Sequence, residues 1–274
     1  MPETRWEWDE TLYAGSAAHY GVGRVAYQRS IADALRDHLG LDGQGRLLDV
    51  GCGPGSLTLL LAPLFAAATG VDADPGMIAE ARRRDTGDTV HWRRTRAEEL
   101  PADLGTFRVV TFAQSFHWMD QPLVARRVRP MVEQAWVHVF ASTHRGLDGD
   151  DPLPHPRPPW DLIEELTRRY LGPVRRAGRG VLPDGTTAGE EDVMRAAGFL
   201  GPARVEVDDE RVVSRTVDEV VSSVFSLSTS TPHLLGDRLS AFEADLRDIL
   251  DTAADGGLFA ERMRGTSLVI WRPR

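Results

Sequence analysis

Apolar positions along the chain recur at two alternating periods. Ile31, Leu35 and Leu39 repeat at helical spacing, and Gly40 is a natural stop after them. Arg46 to Val50 is a short apolar run that predicts a buried strand. A glycine turn follows, Gly51-Cys52-Gly53-Pro54-Gly55, and Ser56 to Ala68 predicts a buried helix. Ala67 to Val71 predicts a second strand, ending at Asp72. A helix starts near Pro75 and runs through Met77, Ile78 and Ala81. Further strands are predicted at Val90 to Arg93, Phe107 to Ala113 and Ala135 to Ser142. Strands alternating with helices imply an α/β fold, a parallel sheet with helices on both faces.

The rhythm breaks at Asp148 to Trp160, where Pro152, Pro154, Pro156, Pro158 and Pro159 predict an extended loop. Beyond it, helices are predicted at Asp161 to Leu171, Glu190 to Ala197, Asp218 to Leu227 and Leu239 to Leu250. Arg204 to Val213 predicts one strand, and Ser267 to Trp271 a closing strand. The first 28 residues hold Trp6, Trp8, Tyr13, Tyr20 and Tyr27, which suit either a helical segment packed on the core or a flap over a ligand.

With 274 residues, the chain has room for one large domain or one domain with a cap. Acidic residues number 41 against 32 basic residues, all of them arginine, a net charge of -9, which argues against a nucleic-acid partner. The arginines at 82–84, 93, 94 and 96 are then a solvated face. Cys52 is the single cysteine, so neither an internal disulfide nor a cysteine-based zinc site can form. No histidine cluster has metal-binding spacing, and no metal is expected. The first residues lack a signal-peptide core, and the run Leu57 to Ala68 is too short to span a bilayer. A cytoplasmic protein without a membrane partner, monomeric or homodimeric, is the expectation.

The glycine turn carries the chemistry. Alternate glycines let the backbone approach a ligand, and the helix after them presents free N–H groups to an anion. Asp72, ending the next strand, can accept hydrogen bonds from both hydroxyls of a ribose. A dinucleotide fingerprint needs G-x-G-x-x-G, but its third glycine falls on Ser56 counted from Gly51 and on Thr58 counted from Gly53. Asp49, ahead of the first glycine, would repel a pyrophosphate. It suits the ammonium and sulfonium of S-adenosylmethionine.

Four ordered fragments extend this pattern: LLDVGCGPG at 47–55, GVDADPGMIAEA at 70–81, RAEELP at 96–101 and FAQSFHWMD at 112–120. Together they resemble class I S-adenosylmethionine-dependent methyltransferases, the last fragment resembling the small-molecule branch near trans-aconitate methyltransferases. The resemblance is strong over the first half of the chain and diffuse after Arg145. It implies a Rossmann-like, doubly wound, mostly parallel seven-stranded sheet with a helical cap in the C-terminal half. The implied organisation is an N-terminal helical flap (1–40) and a cofactor-binding core (41–145). A C-terminal part (146–265) would carry the proline-rich loop, the substrate cap and a sheet strand near 204–213, and the closing strand would be 266–274. S-adenosylmethionine would be the cofactor and S-adenosylhomocysteine the product. By the resemblance, Gly51, Cys52, Gly53 and Gly55 would wrap the methionine portion, with Asp49 near its ammonium. Asp72 would hold the ribose, and Ala73 and Met77 would flank the adenine. Arg96, Ala97 and Glu98 would meet the adenine edge, and Ala113 and Gln114 the methionine end. Tyr20 and Arg24 would approach the cofactor's carboxylate.

Methyl transfer from a sulfonium is an in-line displacement, so a general base is needed only where the acceptor must lose a proton. His117, after the fourth strand, is the candidate base, with a plain pocket-wall role as its alternative. Trp118 could stack on a substrate, and Tyr13, His19, His144 and His233 are further substrate-side candidates. His138, inside a strand, is expected to be structural. The acceptor is expected to be a small molecule of specialised metabolism, with a small carboxylic acid as the alternative. A non-catalytic cofactor-binding scaffold is the competing class.

Overall fold

In the computed structural model, residues 11–101, 103–173, 176–177, 180–181 and 189–274 are described. Trp6 and Trp8 lie outside them. Two short helices lead in, α1 (Ala17–Gly23) and α2 (Arg29–Leu39). Ile31, Ala32, Leu35 and Leu39 form the buried stripe of α2, and Gly40 ends it in the left-handed conformation. β1 (Arg46–Val50) passes through the glycine turn into α3 (Ser56–Leu61). The helix expected to reach Ala68 stops early. Pro63 sits in a 3-10 turn at Ala62–Leu64, and Ala67 already belongs to β2 (Ala67–Asp72).

The alternation continues with α4 (Pro75–Arg84), β3 (Val90–Arg94) and β4 (Phe107–Ala113). α5 (Gln121–Val128), which the pattern did not reveal, leads to β5 (Val132–Phe140). Asp74 and Asp120 cap α4 and α5, each accepting from backbone N–H groups of the first turn. After the proline-rich loop come α6 (Trp160–Leu171), a two-residue ribbon of β6 (Arg176–Ala177) and β7 (Gly180–Val181), and α7 (Glu190–Ala196). The chain ends through β8 (Phe199–Val207), β9 (Val212–Thr216), α8 (Val217–Phe225), α9 (Pro232–Leu235), α10 (Leu239–Ala253), β10 (Leu258–Arg262) and β11 (Thr266–Pro273).

The main sheet has seven strands in the order β3-β2-β1-β4-β5-β11-β8. The first five run parallel, while β11 pairs antiparallel with β5 and with β8. Strand order reverses between β1 and β4, so the loops after these two strands splay apart and leave a crevice at their carboxyl ends. The single strand expected at Arg204 to Val213 is two strands in two sheets. The polar stretch Asp208 to Arg211 interrupts it, with Arg211 folded back on Asp209 at 2.6 Å. β8 joins the main sheet and β9 pairs with β10.

Successive residues of each strand feed opposite faces. Leu47, Val109, Val137 and Leu268 pack with α2, α3 and α4, while Leu48, Val110, Trp136 and Val269 pack with α5 and Phe199. A third apolar cluster, including Ile163, Leu166, Val220, Phe225, Phe242 and Leu246, joins α6, α8, α9 and α10 to Phe259 of β10. Among the described residues, no helix is long and apolar enough to cross a membrane, and no group of histidine, cysteine and acidic side chains could hold a metal.

Candidate functional site

The glycine turn is tied to the neighbouring strand. The N–H groups of Gly51 and Cys52 both donate to the Val71 carbonyl, at 2.8 and 3.0 Å. Gly51 has φ +68°, and a Cβ there would lie 2.5 Å from the Ser115 Cβ, so the fit against the loop after β4 requires glycine. Gly53 has φ +54° and faces open space, with no atom within 4 Å of where a Cβ would stand. That bare backbone borders a cleft of about 740 Å³, its open mouth included.

Asp72 stands across from it. One carboxylate oxygen accepts from the Gly53 N–H at 2.8 Å and the other from the Asp74 N–H at 2.9 Å. Each oxygen keeps a lone pair for a ligand. Burial pushes the Asp72 carboxyl up to about 6, and the two backbone donors oppose that rise.

Most expected cofactor positions line this cleft: Gly51, Gly53, Asp72, Ala73, Met77, Arg96, Ala97, Glu98, Ala113, Gln114 and Tyr20. Leu12, Asp74, Thr95, Ser115 and Met119 line it too, and sequence reasoning missed them. Thr95 and Ser115 follow the ends of parallel strands β3 and β4, a position that could have flagged them. Leu12 carries no comparable signal. An aromatic wall closes one side. Tyr13 meets Tyr20 edge-on at 6.2 Å and Trp118 at 6.4 Å, and the Trp118 indole donates to the Tyr13 hydroxyl. Burial pushes the Tyr13 phenol up, so it stays protonated.

Four expected cofactor residues stand off the cleft wall. Asp49 is buried away from the cleft, its oxygens accepting from the Thr58 hydroxyl at 2.6 Å and the Thr111 hydroxyl at 2.7 Å. It braces β1 against α3 and β4. Burial raises its carboxyl to about 6. Cys52 points into the core, where burial pushes its thiol up. Gly55 packs on the Trp92 ring. Arg24 turns away from the cleft, its guanidinium 4.7 Å from the Tyr20 ring centroid. It donates to the Ser226 hydroxyl at 2.7 Å and carbonyl at 2.9 Å, and meets His144 Nδ1 at 3.3 Å.

The histidines separate in the same way. His117 lies in the 3-10 turn Phe116–Trp118, its ring 4.9 Å from that of Trp118, and is not among the cleft-lining residues. His19 packs on Phe225 at 5.1 Å, and His233 Nδ1 lies 3.0 Å from the Thr231 hydroxyl and 3.2 Å from the Ala14 carbonyl, so both hold the N-terminal segment. His138 is buried among Phe112, Phe116, Trp136 and Phe140, with Nδ1 3.2 Å from Glu190.

One buried ion pair fixes the helical layer against these loops. Arg215 of β9 and Glu261 of β10 meet at 2.9 Å, both essentially inaccessible. Glu261 also accepts from the Gly146 N–H and the Trp160 indole, each at 2.9 Å. Arg215 also donates to the carbonyls of Gly23, His144 and Glu219.

Comparison with known proteins bears on the same segment. Residues 47–134 match the family described as a methyltransferase domain. Malonyl-[acyl-carrier protein] O-methyltransferase of Enterobacter lignolyticus is 30% identical over 167 residues, 60% of this chain and 63% of that protein. Ubiquinone biosynthesis O-methyltransferase of Azorhizobium caulinodans is 34% identical over 126 residues, 42% of this chain and 49% of that protein. Trans-aconitate 2-methyltransferase of Methylobacterium nodulans is 48% identical over 106 residues, 37% of this chain and 41% of that protein. Each match spans less than two thirds of the relative's length. The matched segment contains the glycine turn, Asp72 and the loop after β4, which together form much of the cleft wall.

Proposed function

We propose that the chain is an S-adenosylmethionine-dependent methyltransferase acting on a small-molecule acceptor, with S-adenosylhomocysteine as the product. The observation that carries this reading is Asp72, held by two backbone donors beside the bare backbone of Gly53, with lone pairs left for a ribose. When bound, S-adenosylmethionine would supply a methyl group already activated by a positive sulfur. Gly51 and Gly53 would let its chain lie against the turn, and Ala73, Met77 and Ala97 would give the adenine an apolar slot. Tyr13, Tyr20 and Trp118 would exclude water on the open side and hold the acceptor in line.

The acidic groups on the wall are engaged. Asp74 caps α4, and Glu98 accepts from the Asp120 N–H at 3.0 Å. With His117 off the wall, the site suits an acceptor that is nucleophilic as it arrives, such as a carboxylate or an electron-rich ring carbon. The layer of α6, α8, α9 and α10 would serve as the acceptor cap, and the segment up to residue 40 as the flap. Placement in specialised metabolism rests on the motif resemblance alone.

Calorimetric titration with S-adenosylmethionine, S-adenosylhomocysteine and NADH tests the reading. Micromolar binding of the first two, and none of NADH, is the expected result. Binding of NADH alone would overturn it.

A further inference from the structure

A second cavity, about 1300 Å³ with its open mouth included, lies between the loop after β5 and the helices α6 and α8. Its wall is divided by chemistry. Trp160, Ile163, Val224 and Leu227 give it an apolar side, and the adjacent residues His144 and Arg145 give it a side of donors.

The state of each donor follows from its partners. An arginine can only donate, so the contact between Arg24 Nη1 and His144 Nδ1 makes Nδ1 the acceptor and puts the ring proton on Nε2. Burial and the nearby Arg24, Arg215, Arg145 and Arg264 push the His144 ring down to about 3, so it stays neutral. Its Nε2 is neither buried nor bonded among the described residues. Arg145 uses Nη2 on Asp148 at 2.6 Å, its guanidinium lies 5.8 Å from the Trp160 ring centroid, and its Nη1 is likewise neither buried nor bonded. The one acid on the wall, Glu164, is bonded to Arg168 at 2.5 Å. Arg24, by contrast, spends its donors on Ser226 and His144.

We propose that this cavity is a binding site for an amphipathic organic anion, whose carboxylate is held by His144 Nε2 and Arg145 Nη1 and whose apolar body lies along Trp160, Ile163, Val224 and Leu227. His144 and Arg145 both line the cavity and each has a donor left over, one neutral and one charged, which together suit an anion. The apolar side is broad enough to favour a monoacid with a hydrocarbon or aromatic body over a compact polyacid. The site shares a wall with the cleft: His144 touches Arg24, Arg24 lies on the Tyr20 ring, and Tyr20 lines the cleft. An anion bound here is therefore placed to steady Tyr20. The binding claim does not require the methyltransferase reading.

The test is calorimetric titration of the full chain with octanoate, octanol and tricarballylate, with S-adenosylmethionine titrated separately. Octanoate is expected to bind at one site and more tightly than either comparator. Arg145→Gln should weaken octanoate about tenfold or more, leave octanol unchanged and leave S-adenosylmethionine affinity intact. Leu227→Trp, which fills the apolar side, should abolish octanoate and octanol binding together. Failure of octanoate to bind, or equal octanoate affinity in Arg145→Gln, would overturn the proposal. The cofactor titration reads the two claims apart, because octanoate binding without S-adenosylmethionine binding sinks only the preceding reading.

Discussion

The cleft and the helical layer are built by different means. The cleft is made at strand ends, largely from backbone: the Gly51 and Cys52 N–H groups on Val71, and the Gly53 and Asp74 N–H groups on Asp72. Its parts lie within short, contiguous stretches of chain. The helical layer is locked by side chains from distant positions, with Arg215 and Glu261 drawing in Gly23, His144, Gly146, Trp160 and Glu219. A backbone-built site keeps its shape through many side-chain changes. A layer whose apolar core is tied to the loops by a buried ion pair does not, since a lone charge left behind is uncompensated. The two regions should therefore fail differently, one through binding and the other through stability.

Glu261→Ala should give the largest effect. It strands the Arg215 guanidinium, the Gly146 N–H and the Trp160 indole in a dry interior, at a cost of about 3–5 kcal/mol. Urea denaturation measures it, and the variant should retain its cofactor affinity under conditions where it is folded. Asp72→Ala should show the reverse pattern. Losing two hydrogen bonds to a carboxylate should weaken S-adenosylmethionine binding about a hundredfold, with a smaller loss of stability. Unchanged affinity in calorimetry would remove Asp72 from the site and, with it, the contrast between the two regions.

The same contrast explains what the sequence disclosed. Gly51, Gly53, Asp72, Met77, Ala97 and Ala113 were legible because strand, turn and helix follow one another locally, and each residue's place depends on near neighbours. Asp49 and Arg24 stand off the cleft wall because distant chain engages them. Asp49 is taken by Thr111, 62 positions away, and Arg24 by Ser226, 202 positions away. Burial of both Asp49 oxygens could not be read from an acid preceding a glycine. β10 escaped notice because Glu261 and Arg262 break its apolar run, and only the fold shows that Glu261 is buried against Arg215. α5 begins in a loop-like Gln-Pro pair, and its apolar face is only two turns long.

Asp49 offers a smaller test on the backbone-built side. Its carboxyl is raised to about 6 by burial, whereas in the unfolded chain it titrates near 4. The folded protein therefore holds a proton there that the unfolded chain has lost. Sign follows directly: the stability tied to this group is complete below about pH 4 and declines as pH rises to about 6. Asp49→Asn removes that decline. Measured against the wild type, its relative stability should rise by about 1–3 kcal/mol between these limits. Acids held low by arginines, such as Asp151 and Asp209, shift stability in the opposite direction but are common to both proteins. A difference that is flat with pH would mean that the Asp49 carboxyl titrates in the folded protein as it does in the unfolded chain.

The smallest effect is expected at the residue with the strongest sequence-based claim to chemistry. His117 follows β4 in a fragment whose neighbours Ser115, Trp118 and Met119 all line the cleft, yet it is absent from the wall itself. A general base must reach the proton it removes, directly or through one water. If the site takes acceptors that arrive nucleophilic, His117→Gln should change the release of S-adenosylhomocysteine by no more than about twofold with any acceptor that turns over. Its pH profile should match that of the wild type. Loss of about a hundredfold, together with disappearance of an acid-limb ionisation near the usual histidine range, would instead show that the loop after β4 turns over when substrate binds. That outcome would also narrow the contrast drawn above, because the backbone-built cleft would then depend on one mobile side chain for its chemistry.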